Sequence, residues 1–498
     1  DKIMTLAIIP LPNHLRVQPG SFLLRTGMRI TAQEFVKSMA IKLQTMVANT
    51  VEVDLKISDG LGEIRLCMAD PGVYPEEGYR LEINVSGIVI HASTEEGLFY
   101  AVQTLQQILP VNVQGEVELP CVEIEDAPRF KWRGLHLDVC RHFFDIDFVK
   151  CYIDWMAMHK YNVFHWHLTE DQGWRFEVPG FSGLSDISAW RHGTGGNRYG
   201  GYYTQAEIRE VLGYAREKFV RVVPEIELPG HAQAALAAYP EYSCTGGPFE
   251  VVSEWGVFDE VFCAGNDATF QFLEHVFEQV LDLFPDDYVH IGGDECPKRR
   301  WKECTKCQKR MRDEGLANEE ELQSYFVRHF ASWLSTRGKK PIGWDEILEG
   351  GLPETATVMS WRGEEGGLLA AQAGHDVVMA PETHVYFDRR HYDREGERGR
   401  LSINELSHVY SYEPIPKNLE ADLSHHVLGV EGTMWTEGTE TPEEVAYMLY
   451  PRACALAEVA WSSKSKRNWG NFRRRLRIHG SKLTRAGIGY YPDHQIWD

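Results

Sequence analysis

The sequence predicts an α/β protein, a (β/α)8 TIM barrel preceded by a small α/β domain of sheet plus helices. From about Glu125 onward a rhythm of strand, loop and helix repeats to the end of the chain, as parallel strands joined by helical crossovers require. Past the C-terminal end of each of those strands stands a polar, ionisable or indole side chain, where barrel enzymes build their sites. Before Glu125 the pattern differs and nothing looks catalytic. The expected division is therefore residues 1–125 as a non-catalytic N-terminal domain and 126–498 as a catalytic barrel, which suits a chain of 498 residues.

Within the first part, Phe35, Met39, Leu43 and Met46 share one helical face at three- and four-residue spacing. Tyr79, Leu81, Ile83 and Val85 alternate as a half-buried strand, and Ser86-Gly87 turns the chain into a second strand through Ile88 and Ile90. Leu98, Val102, Leu105 and Leu109 form another amphipathic helix, stopped by Pro110.

In the second part, strands are expected near Trp132–Val139, Val163–Leu168, Val220–Leu228, Tyr288–Gly292, Pro341–Trp344, Thr357–Trp361, Asp376–Ala380 and Val427–Met434. Helices are expected at Phe148–His159, Gln205–Phe219, Thr269–Leu283, Glu319–Ser335 and Pro442–Ala460. A doubly wound sheet would alternate in the same way, so the residues beyond the strands carry the choice. In chain order they are Arg141; Glu170 and Asp171; His231; Asp294 and Glu295; Trp344; Trp361; Tyr386 and Asp388; and Trp435 with Glu437.

The most informative stretch is Asp287-Tyr-Val-His-Ile-Gly-Gly-Asp-Glu295. Gly292 and Gly293 let the backbone turn sharply and let a ligand come close. Asp294 and Glu295 then stand at the mouth, and neighbours on extended backbone point in different directions, so they need not share one environment. Two carboxyl groups with separate tasks are what acetal hydrolysis requires. An Asp-Glu pair is more often a helix cap, but here it has company. Indoles stack on the apolar face of a pyranose, while carboxylates and Arg bind its hydroxyls.

Composition excludes other classes. The net charge of −22 argues against nucleic acid or an anionic membrane as main partner, and no run approaches the length of a membrane span. Asp1-Lys-Ile-Met4 does not read as a signal peptide, which leaves cytoplasm and export both open. Ten cysteines in so long a chain do not make a disulfide scaffold. Cys304-x-x-Cys307 with Cys296 nearby is a weak zinc signal without a second pair, and Cys244 and Cys263 flank a loop they could close in an oxidising compartment. His165-x-His167 could bind metal in a barrel hydrolase, yet it lies within the second strand and the last strand offers Glu437 rather than Asp. The expectation is no metal and no cofactor.

Assembled, these residues resemble glycoside hydrolase family 20, the β-N-acetylhexosaminidases. The motifs are Trp132-Arg-Gly-Leu-His-Leu-Asp-Val-Cys-Arg141, His165-Trp-His-Leu-Thr-Glu-Asp-Gln-Gly-Trp174, Pro229-Gly-His231, His290-Ile-Gly-Gly-Asp-Glu295, Gly343-Trp-Asp-Glu346, Ser360-Trp-Arg-Gly363 and Ala457-Glu-Val-Ala-Trp461. The resemblance implies exo-cleavage of terminal β-linked N-acetylglucosamine or N-acetylgalactosamine, with the substrate's acetamido oxygen as nucleophile. It implies Glu295 as acid and base, Asp294 on the acetamido N–H, and Tyr386 on its carbonyl. Asp171 and His231 would support Glu295. Trp344, Trp361 and Trp435 would wall the pocket, and Arg141, Asp388 and Glu437 would bind ring hydroxyls. The implied partners are β-N-acetylhexosaminides in oligosaccharides or glycoconjugates. Two departures stand out: Glu227 replaces the Asp common before Leu/Met-Pro-Gly-His, and no Trp lies between Ser402 and Pro414, where His408, Tyr410 and Tyr412 are the substitutes for contacting a second sugar.

Overall fold

A computed structural model describes residues 6–498; the expectation about a signal peptide falls on residues outside that range. Seven strands between His14 and Asp126 form one mixed sheet. Helices Lys37–Val51 and Glu95–Ile108 lie against it and bury Met39, Leu43, Val47, Leu98, Val102 and Leu105. Thr94 caps the second helix by accepting from the Gly97 amide. Two expectations fail at element ends. Phe35 is exposed, because Glu34–Val36 is a 3-10 turn that puts Val36 inside instead. The strand holding Tyr79, Leu81 and Ile83 ends at Asn84, which leaves Val85 exposed on the hairpin turn.

Eight parallel strands close a barrel: Trp132–Asp138, Val163–His167, Arg221–Leu228, Tyr288–Gly292, Lys340–Trp344, Thr357–Ser360, Val377–Met379 and Val427–Met434. All eight coincide with the expected runs to within a residue or so. Closure is made by the last strand pairing with the first, Gly429 opposite Trp132 through Met434 opposite Leu137. The expected helix over Pro442–Ala460 is two helices, Pro442–Leu449 and Arg452–Trp461. Pro451 lies between them and has no N–H to donate, so the apolar periodicity runs on while the backbone cannot.

The sheet and the barrel meet through buried ion pairs. Arg133 on the first barrel strand makes two hydrogen bonds to Glu77, of 2.9 and 3.0 Å. Lys160 lies 3.7 Å from Asp126, which also accepts from the Trp461 indole at 2.9 Å. The long helix Trp469–Arg485 closes the same side: Arg475 pairs with Glu458 at 2.7 Å and donates to the Ile8 carbonyl. Among the described residues no helix is long and apolar enough to cross a membrane.

Candidate active site

Inside the barrel the strands alternate, so every second residue points to the axis. His165 and His167 on the second strand, Glu225 on the third and Glu431 on the eighth therefore converge, all buried. His165 lies 2.6 Å from both Glu225 and Glu431. His167 lies 3.0 Å from Glu170 and 2.9 Å from Glu225. Burial alone would pull both imidazoles down; the carboxylates outweigh it and push His165 up to about 9 and His167 to about 10. The chemistry of this pair is that of an ion-pair floor beneath the site.

One step up, Glu170 continues the chain of contacts. Its second oxygen is 2.8 Å from His231 Nδ1, where Asp171 also stands at 3.1 Å. His231 Nε2 faces Asp294 at 3.3 Å and Glu295 at 3.4 Å. Burial opposes charge on His231, but the surrounding carboxylates hold its pKa well above the usual value. Burial likewise pushes Asp294 up, and the charge and hydrogen bond of His231 overcome it, so this carboxyl stays below its ordinary range. Glu295 is different: its side chain is 42% exposed and opens to the cavity.

The turn that presents this pair is strained. Gly292 and Gly293 have φ of 70° and 93°, and Glu295 itself has φ of 45°, a region L-residues seldom occupy. A Cβ on Gly292 would lie 2.2 Å from a Glu227 oxygen, so the glycine makes room for that carboxyl. Glu227 is fully buried, and burial together with the charges of Asp294 and Glu225 raises its pKa well above the carboxylate range. As a neutral acid it can donate to one of those neighbours; ionised, it would repel both. The Glu295 amide donates to Glu346 at 2.8 Å, and the Trp361 indole donates to the other Glu346 oxygen at 2.6 Å. Burial and the nearby Asp294 charge raise Glu346 to about 8.

A cavity of about 330 Å³ opens here, and nine of the eleven expected site residues line it: Arg141, Asp294, Glu295, Trp344, Trp361, Tyr386, Asp388, Trp435 and Glu437. Asp171 and His231 stand behind Asp294 and Glu295 rather than in the wall. Trp361 stacks on Tyr386 with ring centres 6.3 Å apart and planes at 14°, and Trp344 and Trp435 are 5.8 Å apart. Arg141 is held by Asp138, Glu170 and Glu437 at 3.2, 3.3 and 3.4 Å.

Glu346, Arg389 and Arg400 were not expected in the site, and Glu170, expected on the rim, had been given no role there. Glu170 and Glu346 lie inside recognisable motifs, where a neighbour drew the attention. Arg389 pairs with Asp388 at 3.0 Å, and Arg400 contacts Asp388 at 3.4 Å and Glu437. Both belong to a short two-stranded sheet, Arg389–Arg390 with Arg400–Ile403, outside the barrel, so no strand-end rule could find Arg400. The expectation for a second sugar fails in part. Tyr410 and Tyr412 are buried, Tyr410 stacking on Phe472 and donating to Glu458 at 2.8 Å. Only His408 is exposed, stacked on His384 at 3.9 Å. Gly256, Val257 and Leu401 also line the cavity.

Comparison with known proteins identifies the family. Residues 130–464 match the catalytic domain of glycosyl hydrolase family 20, and residues 5–127 match domain 2 of that family. A beta-hexosaminidase of Porphyromonas gingivalis is 43% identical over 97% of this chain; the chain spans 64% of that relative's length. A beta-N-acetylhexosaminidase of Cellulomonas fimi is 33% identical, over 98% of this chain and 97% of the relative. An exo beta-N-acetylglucosaminidase of Vibrio harveyi, solved with N-acetylglucosamine, superposes with a TM-score of 0.90 at 31% identity, covering 98% of this chain and 78% of that one. A Streptomyces plicatus beta-hexosaminidase mutant solved with its GlcNAc product gives 0.88 at 30% identity, covering 99% and 97%. The chain belongs to glycosyl hydrolase family 20.

Proposed function

We propose that the protein is an exo-acting β-N-acetylhexosaminidase that removes terminal β-linked N-acetylglucosamine or N-acetylgalactosamine with retention of configuration. The observation that carries the reading is the unequal treatment of two adjacent carboxyl groups. Asp294 is buried and kept ionised by His231, whereas Glu295 is open to the cavity. With its pKa held below the ordinary range, Asp294 is a poor proton donor, but it can accept the acetamido N–H and stabilise positive charge that grows there. Glu295 is free to exchange protons with the leaving group and with water.

In the first step Glu295 gives its proton to the glycosidic oxygen. The acetamido carbonyl oxygen bonds to the anomeric carbon as the C–O bond to the leaving group breaks, giving an oxazolinium ion. Tyr386 holds that carbonyl in line for attack. In the second step water gives a proton to Glu295 and bonds to the anomeric carbon from the opposite face, and the acetamide is released intact. Two displacements at one carbon retain the β configuration.

Trp344, Trp361 and Trp435 supply apolar walls for the acetyl methyl and the sugar face. Arg141, Asp388 and Glu437 have the polar atoms to bind ring hydroxyls, and Arg389 and Arg400 fix the two carboxylates. At about 330 Å³ the cavity is near the lower end for ligand pockets and suits one sugar ring, as exo-cleavage requires. Val257 and Leu401, both exposed, add apolar side chains to the cavity lining.

The test is nitrophenol release from the para-nitrophenyl β-glycoside of N-acetylglucosamine beside the matched β-glucoside, which lacks the acetamide. Turnover confined to the first is expected. Comparable turnover of both would require an enzymic nucleophile and would remove the roles given to Asp294 and Tyr386.

A further inference from the structure

Away from the cavity, four cysteines from two distant pairs come together. Ser243 and Phe262 form an antiparallel bridge, and the Cys263 amide donates to the Tyr242 carbonyl at 2.8 Å, which sets Cys244 and Cys263 side by side. The Trp301 indole donates to the Phe262 carbonyl at 2.9 Å, docking the short helix that precedes Cys304-x-x-Cys307. Gly265 is packed so tightly on the second pair that a Cβ there would lie 2.1 Å from the Lys306 carbonyl carbon. Both segments are thus positioned by contacts that do not involve sulfur.

The sulfurs themselves are 3.8 Å apart for Cys244 and Cys307, 3.8 Å for Cys263 and Cys304, and 3.7 Å for Cys263 and Cys307. All four lie within 4.8 Å of one another, three buried and Cys244 partly so, and none is in a disulfide. Four sulfurs placed tetrahedrally ~2.3 Å from a central zinc ion are about 3.8 Å apart along each edge. Cys304 is the N-cap of helix Thr305–Glu314 and Cys307 is in its first turn, where the positive end of the helix favours thiolate.

We propose that Cys244, Cys263, Cys304 and Cys307 form a structural zinc site. Binding deprotonates the four thiols, and the released protons go to solvent. All four positions are filled by protein sulfur, so the ion has no open position for substrate or water and its work is mechanical. It clamps the loop after the third barrel strand, which carries His231, Gly256 and Val257, to the segment that follows Glu295. The sequence reading expects no metal because the partner pair of the Cys304-x-x-Cys307 motif is split by eighteen residues, Thr245 to Phe262, and only the loop's folding closes it.

The decisive experiment is the metal content of this chain, purified without chelator under reducing conditions and dialysed, read by plasma mass spectrometry. About one zinc per chain is expected, falling below about a tenth in a Cys304→Ser/Cys307→Ser double variant. Should that variant fail to fold, the wild-type chain produced with cobalt decides. It should show the visible absorption of tetrahedral cobalt–thiolate, and the four thiols should resist alkylation until a chelator is added. Zinc-free protein whose four thiols alkylate at a chelator-independent rate would overturn the proposal. So would intact masses and peptide maps showing a Cys244–Cys263 disulfide in the native chain.

Discussion

Two regions of this molecule bury charge, and they do so with opposite results. Where the sheet meets the barrel, Arg133 is matched by both oxygens of Glu77, Glu458 by Arg475, and Asp126 by Lys160 and the Trp461 indole. Each charge there has its partner, even though open clefts touch the set at Glu77 and at Arg475. At the C-terminal mouth of the barrel the same residue types are left unbalanced. His231 is shared among Glu170, Asp171, Asp294 and Glu295, Glu227 is pushed well above the carboxylate range by burial and by its neighbours' charge, and Glu346 is pushed up to about 8. Buried charge therefore does not by itself mark a functional site. Competition among carboxylates for too few cations does.

The sharpest way to break the comparison is at Glu295. Glu295→Gln is expected to lower kcat on a disaccharide with a poor leaving group by about 10²–10⁴-fold, with melting temperature unchanged; near wild-type turnover would end the assignment. Asp294→Asn should cost about 10²–10³ in kcat while circular dichroism stays native. The interface predicts the reverse pattern. Arg133→Met leaves the half-buried Glu77 with only neutral hydrogen-bond partners, the Asn162 amide among them, and should destabilise by about 3 kcal/mol in denaturant melts, yet leave kcat at moderate temperature alone. Adding Glu77→Gln should recover much of that loss, and a fall in kcat instead would mean that the two regions are coupled.

A pH titration sharpens the contrast. His165 and His167 are raised in the folded state to about 9 and about 10, from about 6.5 when unfolded. Their contribution to stability is full below about pH 6.5 and is lost as pH climbs through about 9 to 10. Melting temperature should therefore decline across that alkaline window, and His165→Gln should flatten the decline. An unchanged slope in the variant would place the titration elsewhere. The smallest effect is expected at Glu227. If it already carries a proton, Glu227→Gln replaces one neutral group by another and should alter kcat by no more than a few-fold; a loss as large as that of Asp294→Asn would show that it works ionised.

Much of this was legible beforehand because barrel strands write themselves locally. Tyr288–Gly292 and Val427–Met434 are short apolar runs with clear ends, and their C-terminal neighbours point to the mouth by topology alone. Misreadings came where local pattern and tertiary context disagree. Phe35 has helical spacing but lies in a 3-10 turn, Pro451 interrupts an apolar period, and Tyr410 is spent on Phe472 and Glu458.

By itself the sequence determined the strands, their order, the paired carboxyl groups and the indoles, since each depends on neighbours a few residues apart. Tertiary structure alone decided how those groups differ. Asp294 and Glu295 are adjacent and chemically similar, and only the fold buries one against His231 while opening the other to the cavity. Arg400 reaching Glu437, and Cys244 and Cys263 meeting Cys304 and Cys307, belong to the same class. Charge and coordination act through space over a few ångströms, and separation along the chain does not report that distance.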